Sequence, residues 1–160
     1  MSIERVKAYL AERNMADRIQ EFAASSATVE LAAKAVGVAP ARIAKTLSFK
    51  LGEDRVLLVV AAGDAKVDNG RYKMAFGGKA KMLTAEEALE RVGHAVGGVC
   101  PFAVNEGVEV YLDESLRRFQ TVFPAAGSAN SAVELTPEEL ERLSEAQGWV
   151  DVCKGWREED

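Results

Sequence analysis

Histidine is nearly absent from this chain: His94 is the one imidazole in 160 residues. A histidine-rich metal site is thereby excluded, and a serine–histidine triad would have to use His94 without any G-x-S-x-G context. Cysteine is almost as scarce. Cys100 and Cys153 occur without a C-x-x-C or a Cys/His cluster, so they are expected as free thiols, with neither metal nor disulfide. Neither G-x-G-x-x-G nor a Walker-type loop is present, which removes the sequence basis for a nucleotide cofactor, and no cofactor of any kind is expected. No stretch approaches the ~20 apolar residues of a membrane span. The opening Met1-Ser2-Ile3-Glu4-Arg5-Val6-Lys7 mixes charges and lacks the apolar core of a signal peptide. A cytoplasmic protein with no membrane partner is the expectation. Repeats, low-complexity tracts and linkers are missing too.

What is present is an ordinary globular composition, 48% apolar and 28% charged. At roughly 100–200 residues per domain, residues 1–160 read as a single domain with a core large enough to fold unaided. Ile3, Val6, Leu10 and Ala11 lie at helical spacing, and a second helix is expected from Thr28 to Val36, stopped by Gly37. Pro40 opens a short turn. Arg42–Phe49 and Arg55–Ala62 read as a hairpin across Leu51-Gly52-Glu53-Asp54, and the unalternating run from Val56 to Val60 predicts a strand buried on both faces, with helices on each side of the sheet. Thr84-x-x-Glu87 and Thr136-Pro137-x-Glu139 are capping boxes, predicting helices to about Val92 and Ala146. Strands are expected at 108–112, 121–123, 132–135 and 149–152, and Asp113 is placed to cap a short helix through Arg118. The fold class is α/β, a mixed β-sheet core flanked by helices.

Lys45 is the leading candidate for chemistry. It sits between Ile43-Ala44 and Thr46-Leu47 on a strand that should be half inside, and lysine is seldom buried without a partner. The bland alternative is a strand-end lysine reaching solvent along its stem. Some fifty residues later Val96-Gly97-Gly98-Val99-Cys100-Pro101-Phe102 supplies a G-x-x-x-P spacing. Its glycines let backbone N–H groups approach a ligand and its proline stiffens the exit, although an ordinary tight turn has the same composition. A cation and a loop of free amides together suit a polar, oxygen-rich ligand. Cys100 and His94 are near enough in sequence to consider a thiol dyad, but with no third orienting group Cys100 reads as a small pocket-lining residue.

Charge is unevenly spread. The whole chain carries a formal net charge of −5, which argues against indiscriminate nucleic-acid binding. Yet Lys66, Arg71, Lys73, Lys79 and Lys81 face only Asp68 between Ala65 and Leu83, whereas Glu134 to Asp160 holds nine acids against three cations. The basic stretch is either a solvated face or a seat for a phosphate backbone. Trp149 and Trp156 read as packing or as an interface.

Taken in order, Arg42-Ile43-Ala44-Lys45-Thr46-Leu47, Gly63-Asp64, Gly97-Gly98-Val99-Cys100-Pro101-Phe102, Leu112-Asp113-Glu114-Ser115-Leu116 and Ala126-Gly127-Ser128 resemble the YbaK/ProX family. These are stand-alone relatives of the editing domain inserted in bacterial prolyl-tRNA synthetases, and the similarity runs from about Phe22 to Leu140. The resemblance implies an α/β editing fold and metal-independent hydrolysis of the ester joining a wrong amino acid to tRNA, of the proline type or carrying a small amino acid. It makes Lys45 the residue relied on, with Gly97 and Gly98 in a loop through Pro101 that positions the aminoacyl end. Val99, Cys100 and Pro101 line that loop, and Thr46, Ser128 and Asn130 are weaker candidates for holding water or the amino group. Lys66, Arg71, Lys73, Lys79 and Lys81 become tRNA contacts, and an aminoacyl-tRNA synthetase becomes a possible partner. The chain departs from the pattern at His94, where many relatives have tyrosine, at Cys100, and at Ala103, where many have glycine. A binding module that senses the same ligand without cleaving it is the rival reading.

Overall fold

The computed structural model describes residues 2–95 and 97–157; Val96 of the loop motif and Glu158, Glu159 and Asp160 of the acidic tail lie outside the described residues. Helix α1 (Ser2–Ala11) buries Val6 and Leu10, the stripe its spacing predicted. Strand β1 (Ile19–Glu21) leads to α2 (Val29–Val36), where the Thr28 hydroxyl accepts from the Leu31 N–H and Gly37 ends the helix at φ +76°. Strands β2 (Ile43–Leu51) and β3 (Arg55–Ala62) form the expected antiparallel hairpin, and every residue of β3 from Val56 to Ala62 is buried.

Strand β4 (Lys66–Val67), helix α3 (Asn69–Phe76) and strand β5 (Lys81–Met82) follow. No helix was expected here because the basic stretch lacks an apolar period: α3 buries only Tyr72. Its caps are nevertheless in the sequence, since Asp68 accepts from the Arg71 N–H and Gly77 turns at φ +79°. Helix α4 (Ala85–Glu87) starts on the Thr84 capping box, but then widens into a π-helical turn, Ala88–Val92, closed by Gly93 N–H donating to Ala88 O at 3.1 Å. The wider turn keeps Ala88 and Val92 inside while Leu89 is exposed.

Strand β6 (Glu109–Asp113) is capped as anticipated: Asp113 Oδ2 accepts from the Ser115 N–H at 3.0 Å, and the segment Glu114–Arg118 is 3₁₀ rather than α. Then come β7 (Phe123–Pro124), β8 (Ser131–Val133), α5 (Pro137–Ser144) on its Thr136–Glu139 capping box, β9 (Gly148–Val150) and β10 (Cys153–Lys154). The main sheet runs β5–β2–β3–β6–β9, with β7 also beside β2, and the pairs β1–β8 and β4–β10 stand apart. It is mixed: β2–β3 is antiparallel, while β3–β6 and β6–β9 are parallel. A chain of rings from Phe49 through Tyr72 and Phe76 to Tyr111, with centroids 4.8–5.0 Å apart, packs α3 onto the sheet. Leu10, Leu140 and Leu143 from α1 and α5 belong to the same buried cluster as β3.

Candidate functional site

The cleft arises from incomplete pairing along one edge of β2. Strand β7 pairs with β2 only at Ile43 and Ala44, and β5 only at Phe49 and Lys50. Between them Lys45 to Ser48 meets no strand on that side. A cleft of about 310 Å³ opens at this gap, lined by Lys45, Thr46, Leu47 and Ser48 from β2, by Thr28, Val29 and Ala32 at α2, and by Gly97 and Val99 from the glycine loop. Phe123, Ala125, Met82 and Leu83 close its two ends, and Ser26, Ser131 and Ala132 complete the wall.

Lys45 is half-buried in this wall, and its one hydrogen bond to a described residue is long, Nζ donating to Gly63 O at 3.4 Å. Burial lowers its pKa, an effect opposed by Cys153, Asp64 and Glu30 and reinforced by Lys66. Ammonium protons are thus left over for a ligand. Beside it the Thr46 hydroxyl is buried with no partner among the described residues, a state that costs about 1–3 kcal/mol until something fills it.

The loop expectations divide. Gly97 and Val99 line the cleft; Gly98, Cys100 and Pro101 do not. Gly98 instead lets two loops touch, because a Cβ there would lie 2.8 Å from the Ser128 backbone, and its N–H is already given to Ala95 O at 3.0 Å. Gly98 therefore cannot offer the free amide expected of it. Pro101 is buried, and Cys100 is wholly buried with its Sγ 3.6 Å from His94 Nε2. This corrects the pocket-lining expectation for Cys100. Nor do the two make a thiol dyad: His94 Nε2 lies 2.7 Å from Phe102 O, to which it must donate, so it has no lone pair for the thiol. Burial pushes the Cys100 thiol up to about 12 and lowers the His94 pKa.

Ser128 and Asn130 also fall outside the cleft wall. The Ser128 hydroxyl bonds to Asn130 Oδ1 at 2.9 Å and Ser131 Oγ at 2.7 Å, and Asn130 Nδ2 donates to Phe22 O at 2.9 Å. They brace the loop that Gly98 touches. Ser26, Ser48 and Ser131, which the structure does place in the wall, carry no motif and were not anticipated. Asp113 is a cap and strut, its Oδ1 accepting from the Val152 N–H at 2.9 Å.

The basic stretch is distributed over two regions. Lys66 on β4 is close enough to act on Lys45, Arg71 donates to Asp151 and to Cys153 O, and Lys73 is exposed on α3. Lys79 and Lys81 line a separate groove of about 630 Å³ with Lys50, Arg91, Glu53 and Glu87. Lys50 and Lys81 are direct cross-strand partners, a like-charge pairing relieved on one side by the Lys50–Glu87 ion pair at 3.0 Å. Among the described residues no three His, Cys, Asp or Glu side chains gather as metal ligands, and no helix is long and apolar enough to cross a membrane.

The mixed sheet and a lysine strand brought beside the glycine loop were expected from the motifs, whereas the position of the cleft at a strand edge was not. The chain belongs to the aminoacyl-tRNA editing domain family, which residues 23–143 match. Over 156 residues it is 54% identical to the uncharacterized protein YwhH of Bacillus subtilis strain 168, covering 98% of this chain and 99% of that one. It is 27% identical over 121 residues to EbsC of Enterococcus faecalis, named as a candidate Cys-tRNA(Pro)/Cys-tRNA(Cys) deacylase, covering 75% of this chain and 74% of the relative. A crystal structure described as a candidate trans-editing enzyme for prolyl-tRNA synthetase superposes with a TM-score of 0.86 at 35% identity, covering 96% of this chain and 98% of that one.

Proposed function

We propose that this protein is a trans-editing deacylase that hydrolyses the ester joining a wrongly attached amino acid to its tRNA. The observation that carries the reading is Lys45: a half-buried ammonium with one long hydrogen bond, in a cleft at an unpaired strand edge. Family membership and the names of the relatives support the same reaction class.

The chemistry asks little of the protein. An ester is more reactive than an amide, so positioning and electrostatic stabilisation suffice without a strong nucleophile. Water attacks the carbonyl carbon, the bond to the ribose oxygen breaks, and that oxygen takes up a proton, giving free amino acid and uncharged tRNA. Lys45 serves the developing negative charge or the phosphate of the terminal adenosine. Gly97 and Val99 hold the aminoacyl end against β2, and the unpartnered Thr46 hydroxyl receives the amino group or the water. Where the amino acid carries its own thiol or hydroxyl, that group can attack in place of water, breaking the same bond to the ribose oxygen, which takes up the attacking group's proton, and releasing the amino acid as a cyclic thioester or ester. No metal enters this scheme.

The RNA is the second half of the proposal. Lys66 beside the cleft and Lys79 and Lys81 in the groove, with Lys50 and Arg91, are the cations we assign to its phosphates, with Arg71 and Lys73 on α3 at the periphery. A synthetase would be the natural source of the mischarged tRNA. The deciding experiment is a deacylation time course on alanyl-, cysteinyl-, seryl- and threonyl-tRNA with wild type and Lys45→Ala. Selective hydrolysis lost in the variant supports the reading and names the substrate; a folded wild type that binds these tRNAs but cleaves none refutes it in favour of a sensor.

A further inference from the structure

We propose that Arg118 is a positioning residue for Lys45, acting through the Gly63–Asp64 turn. This rests on the deacylase reading for its consequence but not for its test. Arg118 closes the 3₁₀ segment Glu114–Arg118 and grips Asp64 with both ends of its guanidinium, Nη1 to Oδ2 at 3.0 Å and Nη2 to Oδ1 at 2.5 Å, while Nε donates to Ser115 O at 2.9 Å. Such a two-pronged grip fixes direction as well as distance, which a lysine in its place would not do. The Trp156 and Phe119 rings, 5.0 and 4.7 Å from the guanidinium carbon, flank the arginine.

The same segment holds the turn at a second point, the Ser115 hydroxyl accepting from the Ala62 N–H at 3.1 Å. A third restraint is steric: Gly63 packs so closely on the Pro40 carbonyl that a Cβ would lie 2.0 Å from its oxygen. Held at Ala62, Gly63 and Asp64, the turn presents one carbonyl, Gly63 O, to Lys45 Nζ. Asp64 is meanwhile kept on Arg118, where it acts on Lys45 through space without forming a salt bridge to it. A free Asp64 would be drawn to the ammonium and would occupy the protons that the substrate needs. Arg118 therefore keeps the cleft cation available.

The ionisable groups facing Lys45 are Asp64 from the turn, Lys66 from β4, Glu30 from α2 and the Cys153 thiol from β10, which stays neutral because burial pushes it up to about 12, so Arg118 reaches Lys45 by way of Asp64. This fixes a pattern of signs. Asp64→Asn removes an attraction for the protonated form, so Lys45 titrates lower than in wild type. Arg118→Ala unmasks the Asp64 carboxylate, so Lys45 titrates higher. The double variant must behave like Asp64→Asn alone, because the effect of Arg118 passes through Asp64. The measurement is the ¹³Cε shift of Lys45 followed with pH in the intact protein, its resonance identified by its loss in Lys45→Arg. Arg118→Lys should restore the wild-type titration only in part, and deacylation by Arg118→Ala should fall at least tenfold in kcat with little change in KM. If Arg118→Ala does not fold, Arg118→Gln carries the same test. A titration unmoved by loss of Arg118, or moved downward with a fall in melting temperature, overturns the proposal and leaves Arg118 a structural strut. The titration needs no turnover, so it decides this inference even if wild type cleaves no ester.

Discussion

Replacing Gly63 by alanine should damage this fold far more than a single methyl group suggests. An added Cβ would lie 2.0 Å from Pro40 O, 2.7 Å from Val29 Cγ1 and 3.0 Å from the Pro40 carbonyl carbon, whereas ordinary contact begins near 3.4 Å. About 1.4 Å would have to be opened against Pro40 O, which is main chain and cannot turn away as the Val29 side chain could. Overpacking costs about 1–3 kcal/mol, and a clash with backbone belongs at the top of that range. For a chain of this size about 3 kcal/mol lowers the melting temperature by about 6–12 °C. Two other glycines calibrate the experiment. At Gly78 the added Cβ meets only Leu51 Cδ1 at 2.7 Å, the movable end of a side chain, and at Gly148 it meets nothing within 4 Å. Thermal unfolding of the three alanine variants should therefore rank Gly63 well below Gly78, and Gly78 at or below Gly148. If Gly63→Ala melts no lower than Gly78→Ala, the close approach of the Gly63 turn to Pro40 is wrong, and with it the rigidity attributed to the carbonyl that meets Lys45.

Alkylation should spare Cys100: its thiol is wholly buried and pushed up to about 12, so iodoacetamide at pH 8 should label it only after denaturation, as read by mass spectrometry, and rapid labelling of the native protein would contradict the structure. Lys45→Met should abolish one component of the alkaline stability profile. Because burial lowers the Lys45 pKa, the unfolded chain binds that proton more tightly, so the penalty is fully present below the folded pKa and is relieved as pH rises through it towards the unfolded value. The wild type should thus gain stability relative to Lys45→Met over that alkaline interval in urea titrations, and parallel curves would refute it. Lys81→Ala should raise stability by a few tenths of a kcal/mol, within the ~0.2–1 kcal/mol range of cross-strand pairs, by removing the like charge opposite Lys50. If the groove holds phosphate, the same variant should weaken RNA binding and reduce the slope of log affinity against log salt by about 0.7–0.9. An unchanged slope would remove Lys81 from the RNA contacts.

Local rules made most of the architecture legible. Thr84 and Thr136 announced helix starts because a capping hydroxyl satisfies a nearby N–H, and both do so here. The run from Val56 to Val60 announced a central strand because nothing in it tolerates water. Helix α3 was missed since its caps lack an apolar stripe between them, and the strands β4, β5 and β10 since two residues carry no period. Ala103 illustrates the converse. Its expected departure from glycine coincides with a φ of +52°, a conformation costly for any residue with a side chain, so the sequence anomaly has a backbone counterpart.

The candidate site was legible only where it breaks a local rule. Lys45 stood out because a cation amid Ile43, Ala44, Thr46 and Leu47 contradicts the apolar logic of its own strand, and the structure places it in the cleft wall. The cleft itself has no local signature. It exists because β7, parallel to β2, and β5, antiparallel to it, come from separate later parts of the chain, each cover two residues of the β2 edge and leave the interval open. The Arg118–Asp64 grip spans 54 residues and is invisible for the same reason. Loop residues were misjudged by treating glycines as interchangeable: Gly97 lines the cleft, while Gly98 exists to let the Ser128 backbone approach. A motif marks where the backbone must come close to something, and only the fold decides whether that something is the substrate or the protein itself.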